Sequence, residues 1–323
     1  MSFDHILVIG FGGPRKPEEL KPFLARLSQE LPIPQARLEE VLRHYQAVGG
    51  SSPYHSCVSR FVRELEARLR TLGIRVPLFL GMRNWHPFLE EVVGEIKKRG
   101  LKKGIGVVLA PHRSEASFDR YVRSVAQVKA RLSAETVETH YLASWHSHPL
   151  FIQAQASQVR KALDPLSRTD QERIDLLFCA HSIPRSMAER AKYAEAFTES
   201  SRLVARELGS FKWSIAYQSR SGNPREPWLG PDVGAVMEGI RANGSRYVLV
   251  VPIGFLCDNV EVLYDLDIEA RDMAGRVGLA YLRAQTVMEH PSFVKMMAAL
   301  IKIGTDTYFS CKEEHKAMTR QEK

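Results

Sequence analysis

Short apolar runs alternate with longer amphipathic segments along the whole chain. Several short runs are continuously apolar, such as Tyr247–Phe255, rather than alternating between apolar and polar residues. Continuous apolar runs of this length are typical of parallel strands that are buried on both faces. The pattern predicts strands at Ile6–Phe11, Val76–Met82, Gly106–Ala110, Val137–Trp145, Asp175–Ala180, Lys212–Gln218, Tyr247–Phe255 and Leu279–Arg283.

The longer segments between these runs predict helices. Several begin with proline, whose fixed φ suits the first helical position. The predicted helices are Pro17–Leu31, Ser56–Leu72, Pro87–Arg99, Ser114–Leu132, Pro149–Leu163, Ala188–Leu208, Pro231–Ala242 and Pro291–Ile303. Regular alternation of strand and helix favours an α/β fold with parallel sheets.

The elements divide into two sets of four strands, with a boundary near Trp145–Pro149. The segment that starts with HPFLEE at His86 is weakly similar to the segment that starts with HPLFIQ at His148. This similarity reflects either shared helix-start chemistry or duplicated half-domains. We therefore predict an N-terminal domain over residues 1–146 and a C-terminal domain over residues 147–287.

Composition and charge narrow the function classes. Hydrophobic residues make up 44% of the 323 residues and charged residues 25%, which excludes disordered, collagen-like and coiled-coil proteins. The chain has 45 Lys+Arg against 37 Asp+Glu, a net charge of +8. Because the basic residues are dispersed, nucleic-acid binding is disfavoured. A solvated basic surface, a pocket for an anionic small molecule and contact with an acidic membrane surface all stay open.

The cysteines are dispersed and form no CxxC pair, lying at Cys57, Cys179, Cys257 and Cys311. This spacing argues against a disulfide framework and a compact zinc site, and predicts reduced thiols in the cytoplasm. The N-terminus does not read as a signal peptide. The most apolar run, Tyr247–Cys257, is too short to span a bilayer. Peripheral membrane contact and oligomeric state stay open.

Titratable side chains follow two of the predicted strands. His181 directly follows one, and Pro184 forces the chain out of the sheet there. Glu261, Asp265 and Glu269 follow another, in a predicted helix that would place them on one face. The row is either an acidic surface stripe or a carboxylate path for a cation. An imidazole with carboxylates suits Fe²⁺, Co²⁺ or Zn²⁺.

The motifs together resemble the ferrochelatases. The segments that carry the resemblance are VGGSSPYHS, GMRNWHPFLEE, FCAHSIP, YQSRSGNPREPWLGPDV and VVPIGFLCDNVEVLYDLDIE, and it extends from about Ile6 to about Ile303. The resemblance implies two similar Rossmann-like domains, each a four-stranded parallel sheet flanked by helices, with a porphyrin cleft between them. It also implies that a C-terminal helix at about 288–310 returns to the first domain, before a charged tail at 311–323. The implied activity is insertion of Fe²⁺, as substrate, into a porphyrin in heme biosynthesis.

The resemblance assigns roles to individual residues. His181 and Glu261 would bind the metal and handle protons, and Asp265 and Glu269 match the acidic row of the family. The residues that match porphyrin-binding positions are Phe11, Tyr45, Ser52, Arg83, near the propionates, and Tyr121.

The chain departs from the family pattern at Asn259, where the family usually has histidine. The stretch APHRSEASFDRY is similar to the coproporphyrin-type enzymes, but Phe11 lacks the hydroxyl that many of those enzymes have. Protoporphyrin IX and coproporphyrin III are both open as substrates. A [2Fe–2S] cluster is not expected because only Cys311 lies near the C-terminus. The alternatives are a non-catalytic porphyrin- or heme-binding protein and a chelatase for another tetrapyrrole or metal.

Overall fold

Two four-stranded parallel sheets form the frame of the protein. The computed structural model describes residues 3–30, 34–221 and 225–306. The first sheet contains β1 (His5–Gly10), β2 (Leu78–Met82), β3 (Lys103–Val108) and β4 (Glu138–Tyr141). The second contains β5 (Ile174–His181), β6 (Lys212–Gln218), β7 (Tyr247–Val251) and β8 (Ala280–Arg283).

The two sheets have the same strand order. The first is ordered β2-β1-β3-β4 and the second β6-β5-β7-β8, with every neighbouring pair parallel. The second half of the chain therefore repeats the topology of the first. The predicted fold class, two similar domains that each hold a four-stranded parallel sheet, is confirmed.

Helices connect the strands and cover the sheets. In the first half they are α1 (Leu20–Glu30), α2 (Gln35–Ala47), α3 (Tyr54–Thr71), α4 (Leu89–Lys98) and α5 (Arg120–Arg131). The later ones are α6 (Pro149–Leu163), α7 (Arg168–Gln171), α8 (Arg185–Ala191), α9 (Tyr193–Leu208), α10 (Val233–Ala242), α11 (Arg271–Arg276) and α12 (Pro291–Asp306). A 3₁₀ turn precedes α1 at Pro17–Glu19, and two π-helices lie at Glu115–Asp119 and Val262–Ala270.

Several predicted bounds are wrong. The predicted strand Val137–Trp145 ends at Tyr141, and the predicted strand Tyr247–Phe255 ends at Val251 because Pro252 follows it. The predicted helix Ala188–Leu208 is two helices, since Lys192 between them has a left-handed backbone with φ 53°.

Two helices were not predicted, the short α7 and the longer α2. The apolar residues of α2 do recur at helical spacing, at Leu38, Val41, Leu42 and Tyr45, and they pack in one apolar cluster, but only Tyr45 is buried.

The main apolar core is continuous between the two halves. It includes Phe61 of α3 and Phe151 of α6, whose rings both pack in a tilted arrangement against the ring of Phe293 of α12. The C-terminal helix thus packs against both halves. We retain the division at 1–146 and 147–287 as a proposal. The tail at 311–323, Cys311 and the end of the helix predicted to about 310 lie outside the described residues. Within the described ranges, each helix is too short or too polar to cross a bilayer.

Candidate metal and porphyrin site

His181 is the last residue of β5 rather than the first residue beyond it. Its Nδ1 lies 2.5 Å from the carbonyl oxygen of Ser182, and because a carbonyl only accepts, Nδ1 carries the proton. The hydroxyl of Tyr193 donates to the His181 carbonyl at 3.1 Å. These contacts fix the ring so that Nε2 points to the carboxylate of Glu261.

Glu261 reaches His181 because the loop after β7 lies against the end of β5. The amide of Gly254 donates to the carbonyl of Cys179 at 3.1 Å. A Cβ at Gly254 would lie 2.7 Å from the Cα of Ala180, so this close approach requires glycine. The Nε2 of His181 and the Oε1 of Glu261 are 3.3 Å apart, and both side chains keep about a third of their surface exposed, at 31% and 39%.

The pair is charged at neutral pH. Burial by itself lowers the pKa of His181, but the Glu261 carboxylate overcomes this effect and raises that pKa to about 9. Burial by itself raises the pKa of Glu261, but the His181 imidazolium overcomes this effect and lowers it. Among the described residues, no cluster of three His, Cys, Asp or Glu side chains could hold a metal ion. His181 and Glu261 are therefore a pair of side chains rather than part of a larger cluster of this kind.

Two residues of the acidic row, Asp265 and Glu269, lie on a π-helix that begins directly after Glu261. The segment Val262–Ala270 is π-helical, a rare form that often marks functional sites. The side-chain oxygen of Asn259 accepts the amide of Val262 at 2.9 Å, so Asn259 caps this helix.

Asp265 lies close enough to Glu261 and Glu269 for their charges to shift its pKa. Burial, then the charges of Glu261 and Glu269, raise the pKa of Asp265 to about 7. The hydroxyl of Ser219 donates to the Asp265 carboxylate. Ser219 follows β6 and has a left-handed backbone with φ 60°, and nothing in its sequence context indicates this role.

The unpredicted helix α2 supplies further residues beside the row. Glu40 contributes, after burial, to the raised pKa of Glu269, and Arg37 opposes that shift. The imidazole of His44 stacks on the ring of Tyr264, with ring centroids 3.7 Å apart. These residues were missed because α2 itself was not predicted, although its Leu38, Val41, Leu42 and Tyr45 recur at helical spacing.

The predicted porphyrin-contacting residues lie at the carboxyl side of the first sheet. Tyr45 and Tyr121 are buried, and the nearby charge of Glu261 adds to the burial that raises the pKa of each. Both tyrosines therefore lie on the same side of the molecule as His181 and Glu261. The Nε of Arg83 donates to the hydroxyl of Ser124 at 3.2 Å, and Arg83 also lies near Tyr121.

Phe11 and Ser52 are both hydrogen-bonded to Tyr54 at the carboxyl side of the first sheet. The amide of Phe11 donates to the Tyr54 hydroxyl at 2.8 Å, and the amide of Tyr54 donates to the Ser52 hydroxyl at 3.3 Å. Phe11 is 41% exposed, one of two large apolar side chains that are exposed in the described ranges. An exposed aromatic ring at a strand end suits a flat apolar ligand.

Position in the sheets explains why these residues meet. His181 is the last residue of β5, Glu261 lies in the segment after β7, and Phe11 directly follows β1. Each of these strands is central, with a neighbouring strand on both sides. In open α/β sheets, ligands bind at the carboxyl ends of such central strands.

The chain is similar to known proteins over almost its whole length. The family model described as ferrochelatase matches residues 4–304. Among curated proteins, the coproporphyrin III ferrochelatase of Mycolicibacterium smegmatis is 35% identical over 304 residues, covering 93% of this chain and 89% of the relative. The ferrochelatase of Rhodopirellula baltica is 33% identical over 93% of this chain and 86% of its own.

A solved structure shares the fold at low sequence identity. SirB from Bacillus subtilis with Fe³⁺ has a TM-score of 0.58 and 12% identity, covering 94% of this chain and 96% of its own. The match over nearly the whole chain, together with relatives above 30% identity, shows that this protein belongs to the ferrochelatase family.

Proposed function

We propose that this protein inserts Fe²⁺ into a porphyrin in heme biosynthesis, and that its porphyrin is coproporphyrin III. The observation that carries the proposal is the pair of His181 and Glu261, 3.3 Å apart at the ends of two central strands, with Asp265 close to it. Insertion exchanges one dication for the two protons of the pyrrole N–H groups. A site for this reaction needs transient metal ligands and a route for protons.

The pair can serve as the transient ligands. At rest, His181 is protonated and bound to the Glu261 carboxylate. An arriving Fe²⁺ repels the imidazolium proton, since metal binding requires the neutral imidazole. Loss of that proton frees Nε2, and one nitrogen and one carboxylate then face the metal.

Asp265 can take the released proton. A carboxyl group with a pKa of about 7 is suited to both accepting and releasing a proton at neutral pH. Glu269, which is exposed, lies beyond it. The row therefore offers a path from the pair to solvent. Once neutral, His181 can also accept a proton from a pyrrole nitrogen.

Two features favour coproporphyrin III as the substrate. The M. smegmatis relative is named for that porphyrin. Burial raises the pKa of the Tyr121 hydroxyl, while Arg83 and Arg120 act to lower it, so two guanidinium groups lie near this tyrosine. Coproporphyrin III has more propionate groups than protoporphyrin IX, and arginine binds carboxylates well.

The experiment that tests the proposal compares the two porphyrins in one assay. The full chain is incubated without oxygen with Fe²⁺ and either coproporphyrin III or protoporphyrin IX, and the absorbance spectrum is followed. We expect conversion to the metallated spectrum, with the higher kcat/KM for coproporphyrin III. A higher value for protoporphyrin IX would overturn the substrate assignment.

A second candidate function is a porphyrin or heme carrier without turnover. Asn259 favours it, because the amide cannot take up a proton at the position where the family usually has histidine. The same assay separates the two functions. A carrier would bind the porphyrin and leave its free-base spectrum unchanged with Fe²⁺, Zn²⁺ and Co²⁺, whereas a chelatase for another metal would respond to that metal.

We also propose a cytoplasmic location. The scattered cysteines without CxxC pairs support it, because reduced thiols are normal in that compartment.

A further inference from the structure

The hydroxyl of Ser124 connects α5 to the end of the first sheet. Ser124 lies in the second turn of α5, and its hydroxyl donates to the carbonyl of Arg120, one turn earlier, at 2.9 Å. The same oxygen accepts the Nε–H of Arg83 at 3.2 Å. A hydroxyl has a single hydrogen, and because the carbonyl takes it, the lone pairs of the oxygen face a donor such as Arg83. The helix therefore fixes the hydroxyl, and the hydroxyl fixes the guanidinium.

Arg83 reaches Ser124 from the carboxyl side of the first sheet. It directly follows β2, and its amide donates to the carbonyl of Gly10, the last residue of β1, at 3.0 Å. The residue after Gly10 is Phe11, whose exposed ring suits a flat apolar ligand. The backbone of Arg83 is thus held beside the place where such a ligand would lie.

A porphyrin on this surface would bring its propionates close to Arg83. The propionates project from the rim of the ring, so a cation beside the ring is placed to meet them. Arginine binds a carboxylate best through two parallel N–H bonds, which requires the plane of the guanidinium to be set. Rotation about the bond between Cδ and Nε moves both terminal nitrogens, so a hydrogen bond at Nε sets that plane. Less conformational entropy is then lost when the porphyrin binds.

We propose that Ser124 is a positioning residue for porphyrin binding, which holds the Arg83 guanidinium in the orientation that receives a propionate. The inference rests on the proposed function, because it names a residue that acts on the substrate of that site. Ser124 acts through Arg83 and not on the reacting atoms. Loss of its hydroxyl should therefore weaken porphyrin binding and leave His181 and Glu261 in place.

The test measures binding of coproporphyrin III without iron, so that it does not depend on turnover. The wild type, S124A, R83A and the double variant are titrated with the porphyrin, and Kd is obtained from the change in the absorbance spectrum. We expect S124A to raise Kd about two- to tenfold, the range that corresponds to ordering one long side chain. In the R83A background the same substitution should raise Kd by less than about twofold, because the side chain that Ser124 orients is gone.

Two further variants separate positioning from a structural role. S124T keeps a hydroxyl that can bond to the Arg120 carbonyl, and it should restore the wild-type Kd. S28A removes a serine of α1 that makes the same kind of bond, to the carbonyl of Leu24 at 2.9 Å, and it should leave Kd unchanged. Alanine is a better helix former than serine, so S124A should keep its fold, which circular dichroism checks.

Iron insertion gives a second readout on the same proteins. S124A should raise the KM for coproporphyrin III in the same direction as Kd, and should change kcat by less than about twofold. A fall in kcat with an unchanged KM would overturn the proposal, because it would place the effect of Ser124 on the chemical step.

Two binding results would also overturn the proposal. They are an equal loss for S124A with and without Arg83, and an S124A protein that binds as tightly as the wild type. If R83A does not fold, the comparison of S124A with S124T and S28A decides the matter.

The same measurements keep the proposed function separate. A protein that binds porphyrin but never inserts iron would refute the proposed function, and the binding titrations would still test Ser124. A protein that binds protoporphyrin IX and not coproporphyrin III would refute the substrate assignment. The titrations would then use protoporphyrin IX, which also carries propionates.

Discussion

The imidazole of His44 lies flat on the phenol ring of Tyr264, with centroids 3.7 Å apart and planes inclined by 12°. His44 belongs to α2 in the first domain and Tyr264 to the π-helix in the second. Burial keeps the pKa of His44 below its usual value, so the contact joins two neutral rings at pH 7. The stack therefore joins the two domains next to Asp265.

We expect Y264A to loosen α2 against the π-helix. An aromatic pair contributes about 0.5–1.5 kcal/mol, and about 1 kcal/mol corresponds to a factor of about five. The KM for Fe²⁺ or for porphyrin should rise by about that factor, with a smaller change in kcat. The matched control is Y264F, which keeps the ring and should behave like the wild type. Equal kinetics for Y264A and Y264F would show that the stack has no part in substrate binding.

His181→Ala should stop insertion but not porphyrin binding. The variant loses both the nitrogen ligand and the proton acceptor of the pair, and positioned acid–base groups contribute about 100-fold or more to rates. Porphyrin binding, followed by the shift of its absorbance spectrum, should stay within about twofold of wild type because His181 is one contact among many. His140→Ala is the control, since His140 lies on β4 beside Glu138. Turnover near the wild-type value in H181A would refute the role of the pair.

The pH dependence of turnover should depend on Asp265. Its pKa of about 7 means that the carboxyl group is protonated at lower pH and cannot accept a proton there. The wild-type rate should therefore rise as the pH increases through about 7. In D265N this rise should disappear and the rate should fall about tenfold or more. A D265N profile that keeps the same rise would assign it to another group.

The same substitution should stabilise the protein at alkaline pH. The pKa of Asp265 is about 7 when folded against an ordinary value of 3.8, so the folded state binds more protons between these limits. Stability therefore falls as the pH rises through that window. Because Asn does not ionise, D265N should raise the free energy of unfolding at pH 8 by ~1–4 kcal/mol. Denaturant unfolding at pH 4 and pH 8 checks this, and no gain at pH 8 would contradict it.

The sequence predicts the sheets better than it predicts the site. Strands such as β1 and β5 are buried along almost their whole length, so their apolar runs are unmistakable. His181 could be selected because a histidine at the end of a buried strand faces the side where ligands bind. The π-helix could not be predicted, because α- and π-helices differ in hydrogen-bond spacing and not in a residue pattern.

The contacts between the two halves of the chain could not be predicted from the sequence either. Glu40 and His44 lie beside the site because α2 packs against the π-helix, a contact that the apolar period of α2 does not indicate. Ser219 reaches Asp265 through a left-handed backbone that its neighbours do not encode. These relationships depend on long-range packing, which no local pattern records.

Asn259 is best understood as a cap, and this leads to a prediction for two substitutions. Its side-chain oxygen accepts the amide of Val262 at 2.9 Å, so N259A should lower the free energy of unfolding by about 1 kcal/mol. A histidine can cap in the same way, since Nδ1 of His148 and of His290 each accept an amide two residues further on. N259H should therefore be as stable as the wild type in urea unfolding. Its kcat should change by less than about tenfold, because the proposed mechanism assigns the protons to His181 and Asp265. A larger gain would mean that Asn259 limits proton removal in this enzyme.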